Sequence, residues 1–261
     1  MLINVTGLVI REISIGESDK ILVLLTPEMG KLTVYANGVK KYKNPNMNSA
    51  QLMGYSEYTL YKHGEKYWVR EAFSVENFYD IRLDLERFAL ALYILDVVND
   101  VCVENESEET MLKLTLNTLY MLVKNNKGLN HIKGVFELST AVNIGFMPDL
   151  LCCSECKAYE SDYMYFNIMS ASLKCEKCFL NFNENNENSD EGSSLVKQLP
   201  LPVVKAMRHI IYGSPSKIYA FKLSGELYFN FNGVCESYLL HHIERGFKTL
   251  DFYKEVKDQG R

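Results

Sequence analysis

GLVIREISIGESDKILVLLTPEMGKLTVYA, residues 7–36, decides how the chain begins. Gly7 to Ile13 is β-branched and apolar, Gly16-Glu17-Ser18-Asp19 is a turn, and Lys20 to Thr26 is a second apolar run. Pro27 to Gly30 turns the chain again into Lys31 to Ala36. Short alternating runs separated by Gly, Pro, Asp and Ser predict strands joined by tight turns. Two more follow: Glu57 to Tyr61 and Tyr67 to Ala72 flank Lys62-His63-Gly64-Glu65-Lys66, a hairpin tip. Five short strands in about eighty residues suit a small barrel, with the OB-fold the leading candidate and a small sandwich the other.

Beyond Asp80 the apolar period changes from two to 3.6. Leu85, Phe88, Ala89, Leu92 and Leu95 form one helical stripe, and Asp84 and Glu86 place negative charge at its start. Ser107 to Lys124 reads as a second helix with Met111, Leu114, Leu119 and Leu122 inward, and His131 to Ile144 as a third ending at Gly145. Asn181 to Ser194, rich in Asn, Glu and Ser, reads as a mobile loop. Leu199-Pro200-Leu201-Pro202 punctuates the restart; Val203 to Ile211 and Tyr238 to Lys248 read as helices. Lys217 to Val234 alternates aromatic and polar residues, which fits strands or an irregular loop. The expected fold class is α+β: residues 1–80 an OB-fold barrel, 81–150 and 181–261 two parts of a helical domain, and 151–180 an inserted zinc-ribbon-like module.

Composition narrows function only slightly. The 261 residues carry 28 Lys and Arg against 33 Asp and Glu, for a net charge of -5. A nucleic-acid partner would therefore have to be met by a local patch. The most apolar run, Phe88 to Val103, is too short to span a bilayer and contains Asp96, Asn99 and Asp100. The start, Met-Leu-Ile-Asn-Val-Thr-Gly, has no cationic leader. The expectation is a cytoplasmic protein with reduced thiols, so its seven cysteines need an explanation other than disulfides.

Four of them supply one. Cys153-Ser154-Glu155-Cys156 and Cys175-Glu176-Lys177-Cys178 are two Cys-x-x-Cys pairs separated by 18 residues, the spacing of a structural four-sulfur zinc site. With four sulfur ligands no coordination position stays open, so one Zn2+ would brace structure and not activate water. Cys152 could replace Cys153, while Cys102 and Cys235 sit in apolar helical surroundings as core residues.

From Met29 through Ser56 there are four lysines and no Asp or Glu. Alternation turns Leu32, Val34 and Ala36 inward and Lys31, Thr33 and Tyr35 outward. The strand runs into Asn37-Gly38-Val39-Lys40-Lys41-Tyr42-Lys43-Asn44-Pro45, a loop with three cations and a ring, which Arg11 and Arg70 would extend. Ammonium groups that neutralise phosphates beside rings that stack on bases suit single-strand binding. A solvated lysine loop is the alternative reading of the same residues. Tyr55, Tyr58, Tyr61, Tyr67 and Trp68 are by residue type more often barrel core than stacking platform, and the pattern alone leaves the two readings open. On a continuous last helix His241, Arg245 and Lys248 would share a face, read as solvated surface, with a cationic strip for DNA or an acidic partner tail as the alternative. The sequence carries no P-loop, catalytic triad or carboxylate constellation for a nuclease or deaminase.

The chain resembles the RecO family over nearly its whole length. The resemblance lies in Gly7-Leu8-Val9-Ile10-Arg11, Gly16 to Leu22, Thr26-Pro27-Glu28-Met29-Gly30-Lys31 and Ala36 to Lys41. It continues in Arg82 to Ala89, in Phe136-Glu137-Leu138 through Gly145-Phe146-Met147-Pro148, and in Tyr238 to Arg245 with Phe247-Lys248-Thr249-Leu250. It implies an OB-fold, a helical domain and a zinc module in a non-enzymatic protein. It also implies binding of single- and double-stranded DNA, annealing of complementary strands, and action with RecR. The family loads RecA onto DNA coated by the single-stranded-DNA-binding protein. By this resemblance Lys40, Lys41 and Lys43 become expected DNA contacts, alongside Arg11, Lys31, Tyr35, Tyr42 and Arg70. One departure stands out: Tyr165 to Leu173 lacks the family's glycine pair between the cysteine pairs, so the turn there is expected to differ. A zinc-ribbon and OB-fold protein that handles RNA or transcription complexes is the competing reading.

Overall fold

Alternation in the first part of the chain becomes a sheet that closes on itself. In this computed structural model, which describes residues 1–185 and 195–259, β1 (Leu2–Ile15), β2 (Asp19–Thr26), β3 (Gly30–Ala36), β4 (Tyr55–His63) and β5 (Lys66–Glu76) form a closed barrel ordered β1-β2-β3-β5-β4. The 14-residue β1 is long enough to pair antiparallel with both β2 and β4, and a parallel β3–β5 pair completes the ring. Closure selects the OB-fold over a sandwich and removes the exposed strand edges. Val9, Leu22, Leu24, Leu32, Val34, Tyr58, Leu60 and Tyr67 fill the interior. The β3–β4 connection adds Val39 and Ala50 to this core, and the Tyr58 hydroxyl donates to the Ser49 carbonyl at 2.6 Å.

The chain divides into two compact units, Met1–Asn126 with the chain from Phe247 onward, and Lys127–Gly246. In the first, a short 3-10 turn (Tyr79–Leu83) leads into α1 (Leu85–Val101), whose Asp84 carboxylate accepts from the Arg87 amide at 3.0 Å. Burial runs almost all round α1, from Ala89 to Val98, although Leu85, expected inward, is exposed. α2 (Glu109–Lys124) buries Met111, Leu114, Leu119 and Leu122 as its spacing predicts. The β2–β3 turn docks on the α1–α2 connection: Gly30 adopts φ +61°, and a side chain there would strike the Val103 and Glu106 carbonyls. α7 (Lys248–Gln259) packs on α1, with Phe247 edge-on to Tyr93 at 5.8 Å and Thr249 donating to Asp96 at 2.8 Å.

The second unit pairs α3 (Leu129–Asn143) with α6 (Gly225–Ile243). Gly134 leaves room for the Phe231 ring, and Lys133 bridges Glu137 and Glu236 at 2.6 Å each, all but buried. Burial alone would push the Lys133 ammonium down, but the two carboxylates outweigh it and hold it up. Beside them β6 (Asp149–Cys153), β8 (Ser172–Cys175), β7 (Tyr163–Asn167) and β9 (Val196–Pro200) form a sheet in the order β6-β8-β7-β9, with α4 (Glu176–Asn185) and α5 (Leu201–Tyr212).

Three further expectations change. Residues 181–185, read as loop, continue α4, while 186–194 lie outside the described residues. Lys217 to Val234 holds no strand: it is irregular to Ser224 and then helical, with Phe231, Val234, Cys235, Tyr238 and Leu239 buried along one side of α6. The expected helix from Tyr238 to Lys248 is two helices. α6 stops where Glu244 turns left-handed at φ +50°, so His241, Arg245 and Lys248 share no helical face. Among the described residues no helix is long and apolar enough to cross a membrane.

Candidate nucleic-acid interface and metal centre

The basic island emerges as an exposed loop anchored at both ends. At its start the Gly38 amide donates to the Asp19 carboxylate at 2.7 Å and the Lys40 amide to the Ser18 carbonyl at 2.9 Å. The Gly38 hydrogen bond, followed by Ser18 and by the charges of Lys41 and Lys40, holds the Asp19 carboxyl below the usual carboxylate range. At its end Asn46 clasps β5, donating to the Arg70 carbonyl at 3.3 Å and accepting from the Ala72 amide at 3.0 Å. Between these anchors only Val39 turns into the core. Lys40, Lys41 and Lys43 are exposed and Tyr42 is 90% exposed. The Lys40 ammonium rests on the Gly16 carbonyl at 3.2 Å.

Arg11 is exposed at the irregularity in the β1–β2 pairing between Val9 and Arg11. Arg70 is exposed at a second irregularity, where Thr59 and Leu60 of β4 pair with Glu71 and Val69 of β5. Such bulges re-aim side chains outward. Lys31 is placed differently from the others: its ammonium donates to the Asn99 carbonyl near the end of α1 at 2.7 Å, where it complements the helix dipole. Tyr35 lies on the outer face, against Trp68 at 5.7 Å. Trp68 and Tyr61, which the pattern left open between core and surface, belong to this outer face: Tyr61 is 46% exposed and neighbours Trp68 at 6.4 Å. The signal for them was present in the alternation, since Leu60, Tyr67 and Val69 turn inward and leave the residues between them outside.

In the second unit the two cysteine knuckles converge. The first follows β6, where the Cys153 amide donates to Ala158 and the Lys157 amide to Cys153, Lys157 being left-handed at φ +62°. The second spans the end of β8 and the first turn of α4, where helix amides favour sulfur in its anionic form. The sulfurs of Cys153, Cys156, Cys175 and Cys178 all lie within 4.8 Å of one another, and Cys156 and Cys175 are 3.6 Å apart. Cys153 belongs to this cluster and Cys152 does not, because alternate strand positions face opposite ways. Burial opposes ionisation of Cys153, but amides of Cys175, Cys156 and Glu155 outweigh it and bring the thiol down to about 6. Hydrogen bonding to Cys156 and Cys175 pushes Cys178 up to about 12.

The turn between the knuckles carries a left-handed alanine. Ala171 takes φ +51°, and the Asn167 side chain accepts from the Ser170 amide at 3.0 Å. Arg208 was not singled out by any motif, yet it locks this module to α5. Its guanidinium donates to Leu150 at 2.6 Å, Leu151 at 3.0 Å and Tyr159 at 2.8 Å, and it lies 4.1 Å over the Tyr159 ring. Cys102 and Cys235 are buried in the core as expected.

Comparison with known proteins places both units in one family. The model for the N-terminal part of recombination protein O matches residues 1–78, and that for its C-terminal part matches residues 82–251. The DNA repair protein RecO of Acetivibrio thermocellus is 32% identical over 97% of each chain. That of Alkaliphilus metalliredigens is 28% identical over 98% of this chain and all of the relative, and that of Caldicellulosiruptor saccharolyticus 25% identical over 98% and 99%. With both family models matched in order over a closed OB barrel and a four-cysteine cluster, this chain belongs to the recombination protein O family of DNA repair proteins.

Proposed function

We propose that this protein is a non-enzymatic DNA-binding mediator that anneals complementary single strands during recombinational repair. The observation that carries the reading is the loop 37–45, which holds Lys40, Lys41, Lys43 and Tyr42 in solvent on a chain that is acidic overall. Two strands repel through their phosphates, and lysines that neutralise both lower the barrier to their encounter. Base pairing then supplies the free energy and the sequence specificity. Arg11 and Arg70 extend the cationic track, while Lys31, engaged with α1, contributes its charge at a distance. In this reading the protein acts with RecR to load RecA on DNA coated by the single-stranded-DNA-binding protein, in the cytoplasm at the nucleoid.

The four sulfurs would hold one structural zinc ion. A tetrahedron of sulfurs around zinc has edges of about 3.8 Å, from Zn–S bonds of about 2.3 Å, and the Cys156–Cys175 separation of 3.6 Å fits it. The ion would brace the sheet that Arg208 ties to α5. Rates of annealing of coated complementary oligonucleotides test the proposal. Replacing Lys40, Lys41 and Lys43 with Glu is expected to slow annealing about tenfold or more while the strands stay intact with magnesium or manganese. Undiminished annealing by the triple variant, or strand cleavage with turnover by the parent, overturns it.

A further inference from the structure

The outer face of the barrel carries a row of rings that the core does not need. Tyr35 on β3 pairs with Trp68 on β5, and Trp68 pairs with Tyr61 on β4, so the three are cross-strand neighbours in one line. Their centroids are 5.7 and 6.4 Å apart, and His63 continues the row 6.5 Å from Tyr61. A cation borders it: Lys66 lies 5.7 Å over the Tyr35 ring, at a hairpin tip whose carboxylate is Glu65. Arg70, also outward, sits where the end of the lysine loop is clasped by Asn46.

From this arrangement we propose that Tyr35, Trp68 and Tyr61 form a base-stacking platform that makes the barrel face prefer single-stranded over duplex DNA. The proposal rests on the DNA-binding reading and adds the strand type. Phosphates are available on either kind of DNA, so the lysine loop serves both. The faces of bases are available only where strands are unpaired, and rings of any sequence context accept them. The loop supplies grip and the ring row supplies discrimination. After annealing the bases turn to each other, the platform loses its ligand, and the product is held by charge alone.

Trp68 is the sole tryptophan of the chain, so the emission of the unmodified protein reports this ring. The experiment titrates the full-length protein with oligothymidylate and with a duplex of equal length, reading tryptophan emission and, in parallel, the anisotropy of a labelled strand. Expected is quenching that saturates together with anisotropy for the single strand, and an anisotropy rise without quenching for the duplex. Trp68→Leu combined with Tyr61→Leu is expected to cost about tenfold or more in single-strand affinity and little for the duplex, with Trp68→Phe retaining most of the preference. Single-strand binding without quenching, or equal losses on both DNAs, overturns the platform while leaving the DNA-binding reading intact. No anisotropy change with either DNA overturns both.

Discussion

His131 shows how one buried side chain can set a pH limit. It is 1% exposed on α3, packed against Phe221 at 4.4 Å, Tyr228 at 5.6 Å and Tyr219 at 6.2 Å. Burial, reinforced by the charge of Lys127, pushes the ring down to about 4 from its ordinary 6.5. A depressed folded value means that unfolding takes up a proton below pH 6.5. The stabilisation from the neutral ring is therefore full above about pH 6.5 and shrinks as pH falls toward 4, by as much as about 3 kcal/mol. Urea unfolding midpoints of the parent and His131→Phe, measured from pH 7.5 to 4.5, are expected to show the parent losing more stability than the variant across that range. Parallel curves for the two proteins would contradict this account.

Among the elements, the sheet of the second unit is the one that the proposed ion would brace. It is small, its strands are four or five residues long, and the parallel strands β6 and β8 each end at a cysteine of the knuckles, Cys153 and Cys175. Removing a structural ion there withdraws binding free energy from folding. Chelation, or Cys175→Ser, is expected to lower the melting temperature of this unit by about 10 °C or more while the emission of Trp68 on the barrel stays unchanged below the transition. An unaltered melt after metal analysis confirms removal would contradict a structural ion. The same elements show what could be read beforehand. Barrel strands were legible because one face of each is buried, and the knuckles because sulfur spacing is a local constraint. The loop reading held for residues 219–224, but the helix from Gly225 was missed because Leu227 and Phe231, four apart on a helix, also alternate with polar neighbours, and exposed Phe229 reinforced the strand pattern. β9 was missed because its partner β7 lies some thirty residues earlier, a pairing that no local signal announces. Tyr61 and Trp68 stayed open between core and surface because residue type favoured burial, although the alternation around them pointed outward.

At the scale of the whole molecule, the sign of the net charge matters less than where the charges stand. A chain of net charge -5 would be repelled by nucleic acid if its charge were evenly spread. Here Asp19, beside the lysine loop, accepts the Gly38 amide and so serves as an anchor for it. The central claim is that this loop grips phosphates, and it has a direct thermodynamic signature in counterion release. The decisive measurement is the affinity for a short single strand as a function of salt, for the parent and for Lys40, Lys41 and Lys43 all replaced by Glu. Each lost phosphate contact should flatten the log–log slope by about 0.7, so the account predicts a slope shallower by about 2 and weaker binding at every salt concentration. Equal slopes and equal affinities for the two proteins would contradict it.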